Sequence, residues 1–174
     1  MRAHELSVVG GDRIRVGGSE LILLFLESAL RLRMDRLHIL APYVDDAAFA
    51  EAVFRETWDR VLDTTEATIV VRTTGAAEAL LRSLAGRPRR CHVRINGRLH
   101  AKVFVASRPG AEIALAGSHN LTGAALQANE EVGVLIRPGE ADELRALVRQ
   151  LREFAVEIAR HSDRCPEPLR EVRR

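Results

Sequence analysis

Short apolar runs alternate with stretches of helical periodicity along most of the chain, and that alternation constrains the fold more than any other feature. Arg36 to Ala41, Ala67 to Arg72 and Cys91 to Ile95 read as strands. Between them, a segment capped by Asp45 or Asp46 and running to about Leu62, and another from Thr74 to Leu84, read as helices. The first of these is expected to bury Phe49, Val53, Trp58, Val61 and Leu62. An earlier helix is expected from Glu20 to about Arg33, N-capped by Ser19 and apolar around most of its circumference. Strand and helix in alternation imply an α/β fold: a mixed β-sheet flanked by helices on both faces.

The rest of the chain extends this pattern. Leu6 to Val9 and Arg13 to Val16 are strand-like pieces around the turn Gly10-Gly11-Asp12. Asn96-Gly97 is a tight-turn signal, expected to join Cys91 to Ile95 and Leu99 to Ala106 as a hairpin. Strands follow at Glu112 to Ala116 and Glu130 to Ile136, with a short helix near Leu121 to Gln127. Glu140 to about His161 is a long amphipathic helix, with Leu144, Leu147, Val148, Leu151, Phe154 and Ile158 on its apolar stripe. Residues 1–161 then form one domain, and 162–174 a loose polar tail holding Pro166 and Pro168. A chain of 174 residues can bury about two-thirds of its unfolded surface.

Composition narrows the setting. A formal charge of +2 names no partner. The two cysteines, Cys91 and Cys165, have neither metal-ligand spacing nor the number a disulfide scaffold needs. No apolar signal core follows Met1, and the run Leu21 to Leu26 is far too short to span a bilayer. A soluble, cytoplasmic protein is expected.

The chemistry gathers in two runs. Lys102 is the only lysine among 26 basic residues, and it stands two positions after His100 in an otherwise apolar stretch. On an extended strand both side chains leave one face, about 6.5–7 Å apart. An imidazole and an ammonium there are costly unless they reach water, a partner or a ligand. Shortly afterwards Ser118 and Asn120 repeat the spacing behind Gly117. Ser and Asn also suit an ordinary turn or cap. Together, imidazole, ammonium, hydroxyl and amide make a cradle for a phosphate.

The order His100-x-Lys102, Gly117-Ser118-x-Asn120, then the acid Glu131 resembles the active-site motif of the phospholipase D superfamily. The motif covers roughly residues 99–135. The chain departs from the family at Ser107, where an aspartate usually stands. The resemblance implies a metal-independent, cofactor-free phosphodiesterase in which His100 attacks phosphorus and forms a phosphohistidine. Lys102 and Asn120 would bind non-bridging oxygens, Ser118 would donate to phosphate or orient the network, and Glu131 would hold the second ring nitrogen of His100. Family members take the general acid from a second motif, which this chain lacks, so the resemblance implies a homodimer with its active site at the interface.

Arg89, Arg90, Arg94 and Arg98 crowd the residues before His100 and are expected to bind substrate phosphate. With no exposed apolar loop evident, nucleic acid, DNA ahead of RNA, is the expected substrate, and an endonuclease the expected activity. A lipid phosphodiesterase and a catalytically silent nucleic-acid-binding module are the alternatives. His119 would point away from Ser118 and Asn120. His38 and His92 read as core or surface-edge residues, and no histidine falls at metal-ligand spacing.

Overall fold

The computed structural model describes residues 4–7, 13–84 and 90–165. Nine strands among them form one sheet: β1 (His4–Ser7), β2 (Arg13–Gly17), β3 (Arg36–Leu40), β4 (Glu66–Val71), β5 (Cys91–Ile95), β6 (Val103–Arg108), β7 (Ala111–Gly117), β8 (Gly133–Arg137) and β9 (Asp163–Arg164). Their order across the sheet is β1-β2-β8-β7-β6-β3-β4-β5-β9. β3, β4 and β5 are parallel to one another and every other pairing is antiparallel. The sheet is therefore mixed, as the alternation of strand and helix implies.

Parallel neighbours need crossovers, and the helices supply them. α2 (Ala52–Thr64), preceded by a short 3-10 turn at Asp46–Phe49, links β3 to β4, and α3 (Thr74–Ser83) stands between β4 and β5. With α1 (Glu20–Arg31) they cover one face over a core that includes Phe25, Leu37, Ile39, Trp58, Ile69, Leu80 and Phe104. Phe49, Phe54 and Trp58 form its aromatic cluster, with ring centroids 5.6–5.9 Å apart. α5 (Asp142–Arg160) covers the other face alone, over Leu40, Val70, Val103, Val105, Ala114 and Ile136. β6 is buried from Val103 to Ser107, as a strand covered on both faces should be.

Several expectations change. The hairpin between β5 and β6 does not form: β3 and β4 lie between them, and β5 takes a parallel place beside β4. Asn96-Gly97 instead closes a turn, with the Leu99 amide donating to the Asn96 carbonyl at 2.9 Å. Strand β6 starts at Val103, so His100 and Lys102 precede it. Ser19 occupies the N-cap of α1 but makes no capping bond; Glu20 reaches back to the Gly18 amide instead. Val53 is exposed in the first turn of α2, and Phe54 takes its place in the core.

On α5, Leu147 and Phe154 are 41% and 45% exposed. The helix approaches the sheet through the smaller Val148, Ala155 and Ala159, which rotates the buried stripe away from both. The chain from Ser162 is not wholly loose: β9 pairs with β5, and the Cys165 amide donates to the Val93 carbonyl at 3.3 Å. Both cysteines are buried. The Gly10-Gly11-Asp12 turn, Gly86 to Pro88 and the prolines of the tail lie outside the described residues.

Candidate active site

One end of the sheet gathers the motif residues because three strands begin or finish there together. Val103 of β6 pairs with Ala116 of β7, and Gly117 at the end of β7 pairs with Gly133 at the start of β8. The Gly117 amide donates to the Lys102 carbonyl at 3.3 Å, so the register continues one rung beyond β6. His100 is exposed two residues earlier, with buried Leu99 anchoring the chain before it. The Lys102 ammonium donates to the His100 carbonyl at 3.0 Å, which holds its stem against the same turn.

Ser118 leaves β7 facing the loop before β8. Its amide donates to the Val132 carbonyl at 2.9 Å, and its Oγ accepts from the Val132 amide at 3.0 Å. Its hydroxyl donates to one oxygen of the Glu131 carboxylate, whose other oxygen accepts from Asn129 at 3.3 Å. Glu131 is thus engaged by Ser118 and Asn129. The bond expected between Glu131 and His100 does not occur among the described residues, because the Ser118 hydroxyl, one rung from β8, reaches the carboxylate first. Asn120 has a buried side-chain oxygen with no partner among the described residues. An orphaned buried amide oxygen costs about 1–3 kcal/mol, a cost that only a hydrogen-bond donor can relieve.

His119, between these two, points inward as the alternation requires. Its ring is buried and Nε2 donates to the Gly18 carbonyl at 2.8 Å, which fixes the tautomer since a carbonyl only accepts. The ring lies over two glycines: a Cβ on Gly133 would meet its Cε1, and one on Gly117 would overlap the Val132 carbonyl oxygen. His119 is a positioning residue that ties the Ser118–Asn120 segment to the loop before α1. The sequence signal for it was available in the glycines flanking it in space, but only the pairing of Gly117 with Gly133 reveals why both are needed.

The same fold occurs in solved proteins. The phospholipase D family member Nuc from Salmonella typhimurium superposes with a TM-score of 0.60 at 19% identity, over 88% of this chain and 97% of that one. The chain has the phospholipase D fold. Phosphatidylserine synthase of Haemophilus influenzae Rd KW20 shares it with a TM-score of 0.61 at 17% identity, over 96% of this chain but 45% of the synthase. TrmBL2, an archaeal chromatin protein with a novel mode of DNA binding, shares it with a TM-score of 0.51 at 13% identity, over 86% of this chain and 53% of that one. No family model and no curated protein matches the sequence.

Within the phospholipase D fold, the arginines before His100 separate instead of clustering. Arg90 precedes β5 and is exposed at the opposite end of the sheet. Arg94, in the middle of β5, donates to the Ser162 carbonyl at 3.2 Å. Arg98 is the only one of the described three at the His100 end, in the turn after β5; Arg89 lies outside the described residues. An extended strand carries consecutive residues apart by about 3.3 Å each, so closeness in sequence became distance in space. Ser107, where the family has aspartate, is buried near the far end of β6, and its carbonyl accepts from the Asp35 amide at 3.0 Å. Arg72 and Tyr43, which sequence reasoning passed over, stand at the His100 end: Arg72 donates to the Gly97 carbonyl and to the Tyr43 hydroxyl, each at 3.2 Å.

Of the other histidines, His92 is exposed beside Glu66 at 3.7 Å. Among the described residues, no group of three or more His, Cys, Asp or Glu side chains could hold a metal ion. No helix among them is long and apolar enough to cross a membrane.

Proposed function

We propose that this chain is a phosphodiesterase that cleaves nucleic acid without a metal, through a phosphohistidine on His100, as a homodimer. The observation that carries the reading is that His100, Lys102, Ser118, Asn120 and Glu131, spread over 32 positions of sequence, stand at the same end of the same three strands.

Each group has a role that its surroundings support. His100 is exposed and free to meet a substrate phosphorus. Its neutral ring forms the P–N bond as the P–O bond to the leaving alcohol breaks; water then cleaves the P–N bond and returns the imidazole. Lys102, tethered to the His100 carbonyl, supplies a fixed cation for the oxygens that gain charge. Asn120 can donate its side-chain N–H to a non-bridging oxygen, while its buried Oδ1 calls for a donor such as a water or a hydroxyl. Ser118, bound to Glu131, is held in one orientation and can donate to phosphate only by giving up that carboxylate.

The leaving oxygen needs an acid, and the second copy of His100 supplies it if two protomers meet at this end. Tyr43 and Val132, two exposed apolar side chains beside the site, suit such a contact. Nucleic acid is favoured as substrate by the likeness to a DNA-binding chromatin protein of the same fold.

The deciding experiment is cleavage of labelled single- and double-stranded DNA and RNA in excess EDTA by wild type and His100→Ala. Cleavage that persists in EDTA and vanishes with His100 is the expected result. Metal-dependent cleavage, or cleavage by His100→Ala, would overturn it, and binding without cleavage by either protein would leave a nucleic-acid-binding module. Hybrids of wild type with His100→Ala should show altered turnover; an active enzyme that is strictly monomeric rules out the shared site.

A further inference from the structure

At the end of the sheet remote from His100 lies an open groove of about 1300 Å³, running beneath the β6–β7 hairpin from α5 toward the end of α2. Its charge is lopsided: seven arginines and four carboxylates line it. Arg145, Arg149 and Arg152 come from α5 at spacings of four and three, which places them on one side of that helix. Arg36, Arg90, Arg108 and Arg137 come from strand ends. Some are committed: Arg152 pairs with Glu112 at 2.8 Å, and Arg145 bonds the Gly139 carbonyl and Asp142. Arg36, Arg90, Arg108 and Arg149 have no side-chain hydrogen bond or ion pair among the described residues, and all four are exposed.

The lining decides what such a groove can hold. Its described lining residues include no aromatic and no amide side chain, so they can neither stack bases nor read adenine in the usual bidentate way. Its volume exceeds the usual range for a small-molecule pocket, about 300–1000 Å³, and it offers no flat apolar shelf for a single nucleobase. Guanidinium groups spread along an open groove match a ligand with several regularly spaced anions. Single-stranded nucleic acid binders depend on aromatic stacking, and this site has none.

We propose that this groove binds the phosphate backbone of duplex nucleic acid, without sequence preference, as a second contact about 20 Å along β6 from the His100 site. The inference extends the nuclease reading but does not depend on cleavage, since binding can be measured where no cleavage occurs.

The test uses the His100→Ala chain in EDTA and a labelled 20-base-pair duplex, read by fluorescence anisotropy over a series of salt concentrations. Combined Arg36→Gln, Arg108→Gln and Arg149→Gln should weaken binding roughly 100-fold at 0.1 M salt and lower the salt slope by about three. A charge-matched control, Arg60→Gln, Arg160→Gln and Arg164→Gln, should stay within about threefold. The variant Arg36→Lys, Arg108→Lys and Arg149→Lys should keep most of the affinity, because backbone contacts read charge more than fork geometry. Equal losses in the groove and control variants, full displacement by a mononucleotide, or tighter binding of single strand than duplex would each overturn the proposal. Because the cleavage test turns on His100 alone, either reading can fail while the other stands.

Discussion

The two ends of the central sheet share strands but hold opposite kinds of polar chemistry. At one, the chain's only lysine stands with His100, Ser118, Asn120 and Glu131, and most of these groups are tied to a neighbour within one or two rungs. At the other, seven arginines face an open groove and four of them have no bond among the described residues. A compact ammonium on a tethered stem suits a charge that must sit at one atom; guanidinium groups along a groove suit a ligand held by many. On the proposed reading, a reaction site and a polyanion-binding surface are built on one sheet without competing for residues.

The largest effect expected from that division is on turnover. His100→Ala should lower cleavage by about a thousandfold or more, while leaving duplex affinity within about twofold. Arg108→Gln should do the reverse on a duplex long enough to reach the groove, weakening binding with kcat unchanged, and should have no effect on a substrate too short to reach it. If His100→Ala weakens duplex binding as much as it slows cleavage, the two ends are one site and the comparison fails.

Both ends also depend on glycine, for different reasons. At the His100 end, Gly117 is needed for space: a Cβ would overlap the Val132 carbonyl oxygen and lie 2.6 Å from the Gly133 Cα, both backbone atoms of a paired strand. Gly117→Ala should therefore cost about 3 kcal/mol. At the groove end, Gly110 has open space around it but a φ of +79°. Gly110→Ala should cost about 1 kcal/mol through backbone strain alone. Urea midpoints at constant slope would measure both; equal losses would mean that β7 and β8 can separate at the site, against the tight pairing described.

A smaller effect is expected at Ser118. Its hydroxyl joins the Glu131 carboxylate and the Val132 amide, so Ser118→Ala frees the acid and leaves one amide to water. Turnover should fall about 10- to 100-fold, with stability lowered by about 1 kcal/mol. Ser118→Thr should recover part of the turnover. A stability loss with unchanged kcat would make the hydroxyl a structural link only.

How much of this was open to sequence reasoning follows from the range of each interaction. The strands and helices were legible because periodicity is local, but the cap of α2 was not: Asp45 caps the 3-10 turn, accepting from the Ala48 amide, and Glu51 caps α2. A single lysine and a spaced Ser and Asn stand out in the sequence, and the fold brings them to one end of the sheet. The hairpin at Asn96-Gly97 was misread because a turn signal does not say which strand the chain meets next, and β4 offered β5 a parallel edge. The arginine cluster was misread for a related reason: Arg90 and Arg98 flank a full strand, so they reach opposite ends of the sheet. The groove was invisible because its arginines come from β3, β6, β8 and α5 and meet only in the folded chain.

His38 offers the finest probe of the groove end. It lies on β3 on the α5 side, and its Nδ1 is buried without a partner among the described residues. Its pKa is lowered, first by burial and then by the nearby charges of Arg36 and Arg152, against a smaller opposing pull from Glu66. A depressed imidazole is neutral in the folded chain where the unfolded chain, with a value of about 6.5, already binds a proton. Stability should therefore hold above pH 6.5 and decline as the pH falls from there through the folded value. His38→Gln should flatten that decline, and identical profiles for the two proteins would mean that the ring is solvated. Two of the three lowering causes are groove arginines, so an anion bound there should lift the His38 value toward normal. An NMR titration of the ring with and without duplex would show it; a ring that titrates identically in both would separate His38, and the arginines beside it, from the bound backbone.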